Sequence, residues 1–86
     1  KRRLNFKPSI DVRGERAADA VAAVRELVDE AIMLGISEVK ILHGKGTGAL
    51  KEEIRKYLKT VDPATSAADE DEKFGGAGIT VVKLDV

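Results

Sequence analysis

Alternating strand-like and helix-like segments predict an α/β fold, a two-layer α+β sandwich with the order β-α-β-α-β-β. Three observations carry that prediction. Apolar residues recur at helical spacing over residues 17–34 and stop at Gly35. A second, shorter helical stripe covers residues 49–59. Strand-like runs, the clearest at 78–84, stand before, between and after these two segments.

The elements follow in order. Residues 9–12 (Ser-Ile-Asp-Val) form a short strand entered after Pro8. In 17–34, Ala20, Val21, Val24, Leu27, Val28, Ala31 and Leu34 share one helical face, and Asp19, Arg25, Glu26, Asp29 and Glu30 take the other. Gly35 then suits the position just past a helix end, where a left-handed backbone is needed. Residues 38–42 (Glu-Val-Lys-Ile-Leu) read as a strand, followed by a glycine cluster, His43-Gly-Lys-Gly-Thr-Gly48. The helix over 49–59 places Leu50, Ile54 and Leu58 on one stripe, and Asp62-Pro63 stops it. The Ala-rich residues 64–68 are a weak strand, and 69-DEDE-72 reads as a solvated loop. Gly75, Gly76 and Gly78 turn the chain into the β-branched run 78–84.

Alternating βαβ units imply parallel strands with right-handed crossovers, so both helices lie on one face of the sheet. Two helices leave the other face partly open. The C-terminal ends of parallel strands share an edge. That edge brings Asp11 and Arg13, leaving the first strand, beside His43, leaving the second.

Composition bounds the function. The chain has 86 residues, enough for one core but too few for a complete dinucleotide-binding domain or an α/β barrel. Aromatic residues are 3% and Trp is missing, which weighs against a base-stacking platform; Tyr57, Phe6 and Phe74 are too few to build one. Without Cys there are no disulfides, thiolate chemistry or Cys-based zinc sites. No apolar run is long enough to span a membrane and no signal peptide is visible, so a cytoplasmic location is expected. The first residues are Lys-Arg-Arg and the only Met is Met33, which reads as a domain (8–86) excised from a longer protein. Residues 1–7 read as a linker end or a basic arm.

Net charge is zero, yet the charges are blocked. Residues 1–16 carry six basic and two acidic groups, and residues 40–60 again six and two. Residues 17–39 and 61–73 each carry one basic and five acidic groups. Two basic blocks apart in sequence can form one face if the fold joins them.

The loop 43–48 runs from a strand into a helix. Glycines let backbone N–H groups approach an anion, the helix N-terminus adds unpaired donors, and Lys45 adds a full charge. These features describe a phosphate site, formed by Gly44, Lys45, Gly46, Thr47 and Gly48, with Arg13 from the neighbouring turn. The loop lacks the Walker A pattern and matches only the weak G-x-G-x-x-A fingerprint from Gly44 to Ala49. His43 is the sole histidine and the one side chain suited to proton transfer near neutrality. Asp11 can orient His43, transfer a proton or bind a metal. Plainer readings compete: glycines for turning, a structural His43, a local Asp11–Arg13 ion pair capping the first helix, and Thr47 as the N-cap of the second. A multi-ligand metal cage is not expected from one His with distant carboxylates.

The stretches 10-IDVRGER-16, 38-EVKILHGKGTGALKEEIRKYL-58 and 75-GGAGITVVKL-84 closely resemble the Smr (small MutS-related) domain across residues 9 to 84. The likeness is greatest to the C-terminal domain of bacterial MutS-like proteins of the second type. The resemblance implies a four-stranded mixed sheet with two helices on one face, similar to the C-terminal domain of translation initiation factor three. It implies nucleic-acid binding, and in many members an endonuclease that nicks DNA or cleaves RNA. It also implies a parent ATPase in cis, with roles in suppressing recombination and rescuing collided ribosomes. The partners expected are DNA, including branched DNA, or RNA and the ribosome, with no membrane. A divalent cation such as Mg²⁺ fits that chemistry, and no nucleotide is expected on this domain.

The family's D-x-[HR]-G element falls on Asp11, Arg13 and Gly14, and its H-G-x-G loop on His43, Gly44, Lys45 and Gly46. Many nuclease-active members carry His where this chain has Arg13, and Arg does not exchange protons near neutral pH. Catalysis then rests on His43 with Asp11. The alternative is a non-catalytic DNA- or rRNA-binding module that positions the parent ATPase; a third reading is a protein-interaction module for an acidic partner. Residues 64–73 depart from the family pattern, which leaves the third strand's extent open.

Overall fold

The computed structural model describes residues 8–46 and 48–86. Residues 1–7, read above as linker or basic arm, and Thr47, read as a helix cap or phosphate contact, lie outside the described residues. The elements are β1 (Ser9–Asp11), α1 (Ala17–Leu34), β2 (Glu38–Leu42), α2 (Ala49–Leu58), β3 (Ala64–Asp69) and β4 (Ile79–Leu84). Two short 3₁₀ turns, Glu72–Phe74 and Gly76–Gly78, join β3 to β4. Predicted and observed ends of β1, α2 and β4 agree to one residue.

The sheet order is β1-β2-β4-β3. β1 and β2 are parallel, and β4 runs antiparallel to both of its neighbours. The sheet is therefore mixed, and the most β-branched segment of the chain occupies an interior position. Strand alternation sorts its two faces. Val12, Val39, Ile41, Val82 and Leu84 are buried on one face beneath Ala20, Val24, Val28 and Ala31 of α1 and Ile54 and Leu58 of α2. Each of these side chains contributes about 1–3 kcal/mol by leaving water. Gly35 ends α1 at φ 71° and frees Ile36 N–H to reach the Ala31 carbonyl at 2.8 Å. The opposite face carries Asp11, Lys40, Leu42, Val81 and Lys83, and ion pairs Lys40–Glu70 and Lys83–Glu38 cross it.

The structure corrects the reading of 69–72 as a solvated loop. Asp69 closes β3, Glu70 N–H donates to the Ile79 carbonyl at 3.0 Å, and Glu72 opens a 3₁₀ turn. The strand over 64–69 forms despite its Ala-rich composition because β4 supplies a complete partner. A bulge between Ala64 and Ser66 adjusts the register.

Candidate active site at the exits of the parallel strands

The exits of β1 and β2 meet as the topology requires. Asp11 pairs with Leu42, and Val12 N–H donates to the Leu42 carbonyl at 2.9 Å. Beyond that point the two turns interlock. Gly14 and the loop residues His43, Lys45, Gly46 and Gly48 line one pocket of about 220 Å³. The stem of Arg13 lies over Gly44, where an added Cβ would stand 3.4 Å from Arg13 Cγ. Gly44 and Gly48 both adopt φ 84°, a left-handed backbone that side chains resist. Gly48, not Thr47, is the N-cap position of α2, and it offers no side-chain cap.

The loop is docked from β4. The Gly78 carbonyl accepts from His43 N–H at 3.1 Å and from Gly44 N–H at 3.0 Å. Those two amides are thereby committed to the protein. The amides of Lys45, Gly46 and Gly48 make no such backbone bond among the described residues.

His43 is 5% exposed, and both ring nitrogens are engaged. Nδ1 lies 2.8 Å from the Gly44 carbonyl, which only accepts, so Nδ1 carries a proton. Nε2 lies 2.7 Å from the hydroxyl of Thr80, a fully buried residue of β4. Thr80 Oγ1 also accepts from Arg55 Nε at 3.3 Å. Arg55 Nη2 then donates to Asp69 Oδ1 at 2.7 Å, and Lys51 Nζ meets the same oxygen at 2.8 Å. A polar chain thus runs from the ring through β4 and α2 to the end of β3. Bonds from Lys51, and then from Arg55, hold the Asp69 carboxyl below the usual carboxylate range.

Asp11 stands apart from this chain. Its Oδ1 accepts from Arg13 N–H and Nε, each at 3.0 Å, and its Oδ2 from Arg13 Nη2 at 2.8 Å. The Arg13 side-chain bonds, then its backbone N–H, lower the Asp11 pKa. Alternation sets Asp11 on the open face and His43 on the helix-covered face, and no hydrogen bond joins them among the described residues. The local Asp11–Arg13 pair exists, but it closes the turn after β1 and does not cap α1, whose N-cap is Arg16 without a side-chain cap bond. No group of three metal-ligating side chains occurs among the described residues. No described helix is long and apolar enough to cross a membrane. Tyr57 is occupied by Arg25, whose guanidinium sits 5.3 Å from the ring centroid.

Sequence reasoning missed Thr80 and Arg55 as site residues, read Gly78 only as a turn glycine and placed Asp69 only in a solvated acidic run. The one signal was a hydroxyl at an inward position of an otherwise apolar strand.

Known proteins are similar to this chain in sequence and in fold. The family model described as Smr domain matches residues 10–85. The protein named Endonuclease MutS2 from Halalkalibacterium halodurans is 44% identical over 80 residues, which are 93% of this chain and 10% of that protein. Its counterpart from Thermus thermophilus is 44% identical over 75 residues, again 10% of its length. The chain therefore spans about a tenth of these relatives. The crystal structure of the Smr domain of Thermus thermophilus MutS2 superposes with a TM-score of 0.84 at 43% identity, covering 88% of this chain and 95% of that one. YdaL from Escherichia coli, a stand-alone small MutS-related protein, shares the fold at a TM-score of 0.86 and 20% identity, over 92% of this chain and 65% of that one. The interlocked strand exits, the glycine loop and these matches lead to one assignment: the chain belongs to the Smr domain family.

Proposed function

We propose that this domain binds nucleic acid at the strand-exit pocket and cleaves phosphodiester bonds there. The observation that carries the proposal is the shared pocket, in which a buried imidazole borders a cationic, left-handed glycine loop at a helix N-terminus. A phosphate diester seats against Lys45 and the amides of Lys45, Gly46 and Gly48, and Arg13 neutralises a second oxygen. Asp11 holds that guanidinium in place. Nδ1 of His43 is the nitrogen on the loop side, and Thr80 anchors Nε2. In this reading a ring protonated on both nitrogens is the general acid. Water attacks phosphorus, the bond to the leaving oxygen breaks, and that oxygen takes the Nδ1 proton. The proton released by the attacking water restores the ring. No step is routed through a cation. The name of these relatives, Endonuclease MutS2, supports the same class of reaction.

A second reading is favoured by one observation: Arg13 takes both Asp11 oxygens, so no carboxylate serves His43. The domain is then a binding module that positions a larger parent protein on DNA or RNA. Cleavage of supercoiled plasmid and of structured RNA by wild type, His43→Ala and Asp11→Ala, with Mg²⁺ and with EDTA, separates the readings. Folded His43→Ala that binds but does not cleave supports the nuclease. Wild type that binds without cleaving supports the module. The EDTA arm reports whether a cation takes part.

A further inference from the structure

A groove of about 860 Å³ lies between α2 and β3, and it meets the strand-exit pocket at Gly48, which lines both. One wall is the helix face carrying Lys51, Arg55, Lys56 and Lys59. The other is β3, an edge strand paired only with β4, so alternate N–H and C=O groups along its outer side are unpaired. The cations of the helix wall therefore set the groove's preference for an anion. Glu52 and Glu53 also border the groove, leaving its lining with a net positive charge.

The cations differ in availability. Asp69 pairs with both Lys51 and Arg55 and ties them to the His43 chain. No ion pair holds Lys56 or Lys59 among the described residues. The three-residue step from Lys56 to Lys59 separates Cβ atoms by about 5–6 Å, and the flexible lysine stems extend that reach to successive phosphates of an extended strand. The floor is small, Ala64 and Ala67, and no aromatic side chain lines the groove. The groove thus suits a sugar-phosphate backbone, without the stacking that reads or grips bases.

We propose that the α2–β3 groove is the track of a single-stranded polynucleotide, carrying the strand away from the phosphate held at the glycine loop, with Lys56 and Lys59 as its phosphate contacts. This rests on the nucleic-acid reading above and extends it to a substrate class. The recognition is independent of sequence and requires several nucleotides beyond the scissile phosphate.

The test measures binding of fluorescein-labelled oligothymidylates of about 4 and about 16 nucleotides, the span of known single-strand sites, across a salt series. For wild type the longer strand binds at least about tenfold more tightly, because each added phosphate contact releases counterions. Lys56→Ala/Lys59→Ala loses that advantage while binding the short strand unchanged. Its salt slope on the long strand falls by about 1.4, two phosphates at about 0.7 each. Lys56→Arg/Lys59→Arg restores both, and far-UV circular dichroism confirms the helix in each variant. Unchanged length dependence and slope in the alanine variant overturn the groove while leaving the pocket standing, and so does a loss seen only with duplex. Failure of wild type to bind either strand overturns the nucleic-acid reading and the groove with it.

Discussion

The two turns that leave the parallel strands are neighbours in space and opposites in construction. The β1 exit is held by a contact two residues long, Asp11 to Arg13, on the exposed open face. The β2 exit is held by a contact 37 residues long, His43 to Thr80, in the buried layer under α2. The first acts through a guanidinium that water surrounds and salt screens. The second acts through an imidazole whose orientation depends on three further elements. Charge placement needs little support from the fold, whereas aiming one ring nitrogen needs most of it.

Four changes break or sharpen that contrast. His43→Ala is the most severe: plasmid nicking falls about 10²–10⁴-fold, the range for losing an acid–base group, while oligonucleotide binding by the folded variant survives. Thr80→Val keeps the shape of the buried side chain but strips Nε2 and Arg55 Nε of their partner. Urea unfolding then shows a loss of about 1–3 kcal/mol, and Thr80→Ser recovers most of it. Asp11→Asn leaves the urea midpoint close to wild type, since exposed pairs contribute little, and weakens oligonucleotide binding a few-fold by loosening Arg13. If Asp11→Asn destabilises as much as Thr80→Val, the contrast is wrong.

The smallest effect is on acid stability. Asp11, Asp69 and Glu70 have folded-state pKa values lowered by Arg13, by Lys51 with Arg55, and by Lys40 respectively. A lowered carboxyl stabilises the fold above its unfolded value, about 4, and that stability is lost as pH falls through the folded value. Stability measured by urea should therefore be level near neutrality and decline below about pH 4. Asp69→Asn should make the decline shallower.

The same contrast explains what the sequence could tell. Both helices were legible because amphipathic stripes such as Val24–Val28–Ala31 and a terminal Gly35 are local signals. The meeting of Arg13 with the glycine loop followed from the βαβ rule, which fixes which strand ends share an edge. The position of β4 between β2 and β3 was not legible, because pairing order is set by the whole sheet. β3 was faint for the same reason: Ala64 to Asp69 have weak strand preference, and the partner edge supplies the rest. Thr80 looked like one more β-branched strand residue until the sheet put it opposite Ile41, two residues before His43 and on the same face. Asp69 looked like the first of four solvated acids until α2 brought Lys51 and Arg55 to it.

Because His43 is the only histidine, its imidazole nitrogens give unambiguous ¹⁵N resonances. Their protonation state and response to ligand report how the ring is aimed. The expected result is a protonated Nδ1, an Nε2 bonded to Thr80 that loses this signature in Thr80→Val, and an Nδ1 signal that moves most when a short oligonucleotide is added. A neutral ring protonated at Nε2 instead, or one whose Nε2 alone responds to the oligonucleotide, contradicts it.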